Sequence, residues 1–169
     1  MNIIFLDVDG VLNSQQYFES IKHTKGFFHE IDKSKLPLLK RIVEENQAYI
    51  VLASTWRELD NEANMEAYTM YQYLQKSLAD YGIRITSRTP ELGKTRPEEI
   101  KTWLNKRVDK DTIKWISIED DWDEKDYENA GLAGHLLHTE FYDKHSLAGG
   151  LQEYHVALAK DLFDKQSIH

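Results

Sequence analysis

Short apolar runs alternate with segments of helical spacing along this chain, and this alternation limits the folds open to it. Five runs have the length and composition of buried strands, the last two less clearly; they are residues 3–6, 49–53, 115–118, 135–138 and 83–86. Strands that alternate with helices predict a mainly parallel sheet with helices on both faces. We therefore expect an α/β, Rossmann-like three-layer sandwich.

The segments between the strands carry apolar residues three and four apart, which is the spacing of one helix face. Four helices are predicted in this way: over residues 34–46, from Met65 to a C-cap near Gly82, from Pro97 onward, and near the end of the sequence, where Leu151, Tyr154, Leu158 and Leu162 share one predicted face.

Composition narrows the class of protein. The 169 residues, 41% of them hydrophobic, suit a single domain spanning residues 1–169. No apolar run reaches the roughly 18 residues of a membrane span, and the absence of cysteine excludes disulfides and thiolate metal sites. A cytoplasmic protein without membrane association is the simplest expectation. The sequence identifies no obligate protein partner.

Polar residues follow the predicted strands at the edge where parallel sheets bind ligands. They are Asp7, Asp9 and Gly10 after the first strand; Ser54, Thr55, Trp56 and Arg57 after the second; Lys94 and Arg96 at a helix start; and Glu119, Asp120, Asp121 and Asp123 after the third clear strand. This set contains carboxylates, hydroxyls and cations, but no histidine. Oxygen ligands of this kind predict a hard ion such as Mg²⁺.

These residue types indicate phosphoryl transfer. Carboxylates from two strands would hold the ion, which lessens their mutual repulsion and leaves one aspartate as a nucleophile toward a phosphate. The second aspartate of the pair lies close enough to act as general acid and then as general base. A hydroxyl and a cation would hold the phosphoryl oxygens.

Four segments also resemble, in order, the four motifs of the haloacid dehalogenase (HAD) superfamily: FLDVDGVLN, IVLAST, GKTRPEEIKTWL and WISIEDDWD. The features STWR, EIKTWL and GGL are similar to one branch, the HAD domain associated with Swiss-army-knife RNA repair proteins. The resemblance covers nearly the whole chain. It implies a HAD-like hydrolase that acts as a magnesium-dependent phosphomonoester phosphatase.

The resemblance also implies a role for particular residues. Asp7 becomes the nucleophile that forms an aspartyl-phosphate, and it is also a Mg²⁺ ligand. Asp9 becomes the general acid and base, with its backbone carbonyl on the metal. Ser54 becomes the phosphate-binding hydroxyl, and Asp120 becomes the metal ligand from the fourth motif.

Two of these assignments have a neighbouring alternative. Thr55 is the nearest substitute for Ser54 as the phosphate-binding hydroxyl. Asp121 competes with Asp120 as the metal ligand, because the acidic run leaves the register open by one residue.

The phosphate-binding cation also has two candidates. Arg96, directly before a proline, is preferred over Lys94, two residues earlier. Trp56 and Arg57 would contact the substrate or, in the interpretation we favour, Trp56 packs against the sheet and Arg57 pairs with a nearby acid.

The spacing of the motifs bears on the substrate. About 35 residues separate the first motif from the second and the second from the third, which leaves no room for a large cap domain. Residues 14–32 are the candidate for a partial lid. An open site favours a phosphate on a large molecule, so the leading substrate class is a nucleotide or polynucleotide end.

The formal net charge of −8 argues against broad binding of nucleic acid through many phosphates, but it leaves recognition of a single phosphorylated end open. The alternatives are a phosphatase for a small metabolite or a phosphoprotein, and a non-catalytic HAD-fold module that only binds.

Overall fold

The computed structural model describes residues 1–23, 30–142 and 148–166. In chain order the elements are β1 (Asn2–Leu6), α1 (Gln15–Ile21), α2 (Leu36–Glu45), β2 (Ala48–Leu52), α3 (Met65–Ala79), β3 (Ile85–Arg88), α4 (Arg96–Asn105), β4 (Lys114–Glu119), α5 (Glu124–Asn129), β5 (Leu136–His138) and α6 (Glu153–Lys165). Short 3-10 turns occur at Lys33–Lys35, Thr55–Leu59 and Lys110–Thr112.

The five strands in the described residues are all parallel and form one sheet in the order β3-β2-β1-β4-β5. The central strand β1 pairs on both sides without a break in register, so that Leu6 lies level with Leu52 of β2 and Ile118 of β4. The order reverses beside β1, and ligands in such sheets bind at this switch point, outside the carboxyl ends of the strands.

Alternate residues of β1 face two separate hydrophobic layers, as expected for a strand buried on both faces. Ile4 and Leu6 belong to the larger layer, which includes buried residues of α2, α3 and α6. Ile3 and Phe5 belong to the smaller layer, which includes residues of α4 and α5. The predicted three-layer α/β sandwich is therefore confirmed.

The predicted bounds of the third strand differ from the structure. The sequence predicts a strand from residue 83, whereas β3 begins at Ile85. The backbone N–H of Ile83 instead donates to the carbonyl of Leu78 at 3.0 Å and closes the end of α3. The C-cap of α3 is Asp80, two residues before the predicted Gly82; Gly82 follows in the turn with a φ of +75°, a conformation that glycine adopts without strain.

The predicted face of the last helix is wrong at Tyr154 and Leu158, although Leu162 is partly buried against the core as predicted. Tyr154 and Leu158 are 61% and 44% exposed, whereas Val156, Ala159 and Phe163 of α6 are buried. Leu151 is buried but precedes the helix, which begins at Glu153. Counting the helical spacing from this residue rotated the predicted face away from the sheet.

Within the described residues, the connections between β1, β2 and β3 form helices, and no second sheet or separate cap is present. Helix α1 lies in the segment predicted to act as a partial lid, of which residues 24–29 are outside the described residues. The backbone N–H of Leu151 donates to the carbonyl of Val11 at 2.9 Å and ties the entry to α6 to the loop after β1.

In the part of the chain that the structure describes, no helix combines the length and apolar character needed to cross a membrane.

The orientation of α6 can be tested with two alanine substitutions on the same helix. Phe163→Ala removes a side chain from the core and is expected to lower the free energy of unfolding by about 3 kcal/mol. Leu158→Ala is the matched control and should change it by less than about 0.5 kcal/mol, because this side chain already faces solvent. Urea unfolding measures both, and a larger cost for Leu158→Ala would contradict the observed face.

Candidate active site

Asp7 is the first residue after β1, and it lies at the switch point of the sheet. Its backbone N–H donates to the carbonyl of Ile118 in β4 at 3.1 Å, which extends the pairing of the two strands by one residue. The side chain is 6% exposed, and its Oδ1 accepts the backbone N–H of Val8 at 2.8 Å. The sheet therefore presents a buried carboxylate at its carboxyl edge.

Two further carboxylates, those of Glu119 and Asp120, lie at the end of β4. Oxygens of Asp7, Glu119 and Asp120 all lie within 4.8 Å of one another. Both oxygens of Glu119 accept protein donors: the backbone N–H groups of Asp120 and Asp121 at 3.0 and 2.9 Å, and Nε of Arg96 at 3.4 Å. Glu119 thus connects the three carboxylates to the guanidinium of Arg96. Asp120 is the next residue of the chain.

The proximity of these carboxylates alters their protonation. Burial raises the pKa of Asp7 well above its usual range, and the Glu119 carboxylate raises it further, whereas Arg96 and a hydrogen bond from Ser54 lower it. Burial likewise raises the pKa of Glu119. Burial and neighbouring carboxylates raise the pKa of Asp120 to about 7. The group therefore holds more negative charge than its protein surroundings compensate.

Such an oxygen-only donor set with excess negative charge fits a hard divalent cation. Asp7 and Asp120 have the carboxylates suited to bind it, because Glu119 already accepts hydrogen bonds on both oxygens. Asp121, the alternative to Asp120, is exposed and lies outside the group of three. The choice of Asp120 as ligand stays a prediction that this geometry supports.

Gly10 lets the loop after β1 approach the end of β4. Its φ is +69°, and a Cβ placed on it would lie 2.0 Å from Cγ of Asp120, so that no side chain fits at this position. The Thr139 hydroxyl donates to the Gly10 carbonyl at 2.8 Å, and the Gly10 N–H donates to Oδ1 of Asn13 at 2.9 Å. These contacts fix the backbone beside the carboxylates.

Asp9 is exposed, unlike Asp7, and both of its carboxylate oxygens accept a hydrogen bond. The side-chain amide of Asn13 donates to Oδ1 at 2.8 Å. The indole Nε1 of Trp56 donates to Oδ2 at 3.0 Å. The pattern of residue types did not predict either contact.

Ser54 and Thr55, the two candidate hydroxyls, lie in different environments. Ser54 is completely buried and caps the 3-10 turn Thr55–Leu59, since its Oγ accepts the N–H of Trp56 at 3.3 Å. A hydrogen bond from Ser54 lowers the pKa of Asp7. Thr55 is exposed. The structure thus brings Ser54, but not the Thr55 side chain, into the buried part of the site.

Arg96 and Lys94, the two candidate cations, are also separated. Arg96 is 8% exposed and pairs with Glu99 at 3.0 Å and with Glu119 at 3.4 Å. Lys94 is exposed and lines a cavity of about 520 Å³ formed with residues of α4 and α5. Thr95, which caps α4 in a capping box with Glu98, lies between them and leaves only Arg96 in the first helical turn.

A buried chain of ion pairs connects this cation to the end of β2. Nη2 of Arg57 donates to both oxygens of Glu99 at 3.0 Å, and its Nη1 donates to the carbonyl of Ser54 at 2.9 Å. The expectation that Arg57 pairs with an acid is therefore confirmed, and so is the packing of Trp56 in the core, where it is 4% exposed. Glu99, at the centre of the chain, was missed by the sequence reasoning, although it follows Arg96 by three residues on one helix face.

Comparison with known proteins identifies one family that matches this chain. The profile of the family described as "HAD domain in Swiss Army Knife RNA repair proteins" matches residues 3–149, which include every residue of the site. No curated protein and no solved structure matched the chain.

The choice between Asp120 and Asp121 can be tested by metal binding. A divalent cation at 100 times its Kd should raise the free energy of unfolding of the native protein by about 2.7 kcal/mol. Asp120→Asn should abolish this rise, and Asp121→Asn, which removes an exposed carboxylate from the next residue, should retain it. Thermal unfolding with Mg²⁺ and with EDTA measures the difference. The opposite pattern would assign the ligand to Asp121.

The raised pKa of Asp120 predicts a dependence of stability on pH in the metal-free protein. Between its usual value of 3.8 and about 7, the folded state keeps a proton that the unfolded state releases, so stability falls as the pH rises through this window. One group contributes at most about 1.4 kcal/mol per pH unit. Urea unfolding from pH 4 to pH 8 with EDTA should show the fall, and Asp120→Asn should reduce it; an equal fall in this variant would contradict the assignment.

The buried ion pairs predict a stability cost for Glu99→Gln. This change leaves Arg57 and Arg96 without their shared carboxylate in a buried environment, and it should cost about 3 kcal/mol of unfolding free energy. Asp164→Asn is the matched control, because it breaks the exposed pair with Lys160 and should cost less than about 0.5 kcal/mol. Equal costs in urea unfolding would show that burial does not strengthen the dependence on Glu99.

Proposed function

We propose, since the chain belongs to the family of HAD domains in Swiss Army Knife RNA repair proteins, that it is a magnesium-dependent phosphomonoester phosphatase acting through an aspartyl-phosphate on Asp7. One observation carries the proposal. The buried Asp7 carboxylate lies within 4.8 Å of two other carboxylates, and the exposed Asp9 follows it by two residues. A nucleophile and a solvent-accessible proton carrier thus stand on the same loop.

In the first half of the reaction, a carboxylate oxygen of Asp7 attacks the phosphorus atom. The bond from phosphorus to the leaving oxygen breaks, and Asp9 gives its proton to that oxygen, which leaves as an alcohol. In the second half, Asp9 takes a proton from a water molecule as the water oxygen attacks phosphorus. The bond between phosphorus and the Asp7 oxygen breaks and inorganic phosphate leaves, so that Asp7 is again a free carboxylate and Asp9 is again protonated.

Asp7 and Asp120 would hold Mg²⁺ through their carboxylates, and Asp9 would hold it through its backbone carbonyl. The ion supplies positive charge that lowers the repulsion between the Asp7 carboxylate and the phosphate dianion. Without such a charge, burial and the Glu119 carboxylate raise the pKa of Asp7, and a raised pKa increases the share of the neutral form, which is a poor nucleophile.

Ser54 and Arg96 would bind the phosphoryl oxygens. Ser54 lies beside Asp7, and its hydroxyl can donate to an oxygen of the transferred group. Hydrogen bonds to Glu99 and Glu119 use two of the five N–H donors of the Arg96 guanidinium, so other donors remain for a phosphate. These donors would stabilise the negative charge on the phosphoryl oxygens in the transition state, where fixed donors have their largest effect.

A nucleotide or polynucleotide end is the substrate class we propose. Two findings support it: no separate cap covers the site in the described residues, and the family is described by its presence in RNA repair proteins. The negative net charge favours contact with one terminal phosphate over contact with many.

The activity can be tested with a generic aryl phosphate, 3′-phosphorylated RNA, 5′-nucleotides and sugar phosphates, each with Mg²⁺ and with EDTA. We expect turnover in the presence of Mg²⁺ but not in the presence of EDTA. The turnover rate should be highest on the nucleotide or RNA substrates. Asp7→Asn should lower kcat at least about 10³-fold because it removes the nucleophile. Asp121→Asn is the matched control, because it removes an exposed carboxylate outside the group of three.

Three outcomes would contradict this proposal in whole or in part. Activity that survives Asp7→Asn would overturn the nucleophile assignment. Absence of turnover on the whole panel, in protein that thermal unfolding shows to bind the metal, would favour a non-catalytic binding module. Faster turnover of sugar phosphates than of the nucleotide and RNA substrates would move the substrate class to small metabolites.

A further inference from the structure

Trp56 has two unlike neighbours. Its ring packs in the larger hydrophobic layer and is 4% exposed, so it offers no face on which a substrate base could stack. Its indole N–H, however, donates to Oδ2 of Asp9 at 3.0 Å. The donor comes from the 3-10 turn after β2 and the acceptor from the loop after β1, which are 47 residues apart in the chain.

Asn13 supplies a donor to the other oxygen. Its side-chain nitrogen lies 2.8 Å from Oδ1 of Asp9 and 2.9 Å from the carbonyl of Glu30. Its side-chain oxygen accepts the N–H of Gly10 at 2.9 Å, and the residue is completely buried. Each oxygen of Asp9 therefore accepts a hydrogen bond from a side chain that its own surroundings hold in place.

We infer that Trp56, together with Asn13, is a positioning residue that fixes the carboxylate plane of Asp9 for proton transfer. The inference rests on the proposed function, in which Asp9 is the general acid and base. A carboxylate has about four acceptor positions, and these two donors use one on each oxygen. Because Asp9 is exposed, the other positions are open to the leaving oxygen and to water.

The physical reason lies in the two rotatable bonds of the Asp9 side chain. Proton transfer needs the carboxylate within about 3 Å of the reacting oxygen, and an exposed aspartate samples several rotamers. A water molecule that donates to Asp9 could follow those rotations, whereas a donor on a packed indole ring cannot. The hydrogen bond therefore favours one orientation before the substrate arrives, which lowers the entropy lost in reaching the transition state.

Trp103 provides an internal comparison. Its indole N–H donates to Oγ of Ser87 at 3.0 Å, and its ring packs edge-on against Phe5 at 5.3 Å. Like Trp56, it combines a hydrophobic ring with one hydrogen bond. Its acceptor is a hydroxyl at β3 and not a carboxylate of the site. Trp103→Phe therefore removes the same chemical group without touching Asp9.

The kinetic test compares Trp56→Phe with Trp103→Phe on the best substrate of the panel. The phenyl ring keeps most of the packing of Trp56 and removes the N–H. We expect kcat to fall about tenfold in Trp56→Phe, with KM within about twofold of the native value, because no contact with the phosphate is lost. Trp103→Phe should leave both constants unchanged.

A second measurement depends on neither activity nor the folding of Trp56→Phe. The chain has four tryptophans, and ¹⁵N-labelled protein should give one indole N–H resonance for each; single Phe variants of Trp103, Trp115 and Trp122 assign theirs and leave that of Trp56 by elimination. Asp9→Asn, a substitution at an exposed position, removes the charge of the group that accepts the Trp56 indole N–H. This variant should therefore shift the Trp56 resonance and leave the Trp103 resonance unchanged. An unshifted Trp56 resonance would overturn the hydrogen bond and the inference with it.

The outcomes separate the two proposals. Turnover by the native protein with an unchanged kcat in Trp56→Phe would overturn the positioning role alone. A fall in kcat that is equal in Trp103→Phe would also overturn it, since the effect would then follow from lost packing. No turnover by the native protein would overturn the proposed function and with it the positioning role of Trp56, even where the Trp56 resonance shifts as expected.

Discussion

Repulsion among the carboxylates of Asp7, Glu119 and Asp120 is the constraint on which the rest of the site depends. One oxygen from each carboxylate lies within 4.8 Å of the other two. This proximity arises because β1 and β4 pair without a shift in register and end at the same level. Backbone N–H groups and Arg96 offset part of the negative charge, but the pKa of Asp120 still rises to about 7. A divalent cation would supply the positive charge that these protein groups lack.

Arg96 is itself kept in place by a compensating acid. Glu99 pairs with it and also with Arg57, and Arg57 binds the carbonyl of Ser54. The ends of β2 and β4 and the start of α4 are thus connected by charged groups that are almost fully buried. Buried charges of this kind are costly unless each has a partner, so the chain of ion pairs favours one arrangement of these three elements.

The sequence predicts much of this fold because parallel sheets follow from local patterns. Buried strands appear as continuous apolar runs, and residues just after them meet at one edge, so Asp7, Ser54 and Asp120 could be placed without the structure. The short helices α1 and α5 were not predicted, since neither has a repeating apolar face. The choice between Arg96 and Lys94 did have a local signal, namely Thr95 followed three residues later by Glu98, which marks the start of α4.

The contacts that orient the site were beyond sequence reasoning for a different reason. Trp56 and Asp9 are 47 residues apart, and Arg57 and Glu99 are 42 apart. Their pairing depends on the register of three strands and on the position of a helix above them. Residue type shows that Trp56 can donate a hydrogen bond, but only the assembled sheet determines which acceptor it meets.

The contact between Thr139 and Gly10 has a consequence for the order of events in folding. The loop after β1 is synthesised well before the residues that bind it: its Gly10 carbonyl is bound by a hydroxyl 129 residues later, and its Val11 carbonyl by the N–H of Leu151. Contacts of such long sequence separation form late, because their loop-closure entropy must be overcome first. A nascent chain that contains only the first two motifs therefore has Asp7 and Asp9 but lacks the contacts that fix the loop around them. Those contacts form only when β5 pairs with the sheet and the start of α6 packs against the loop after β1.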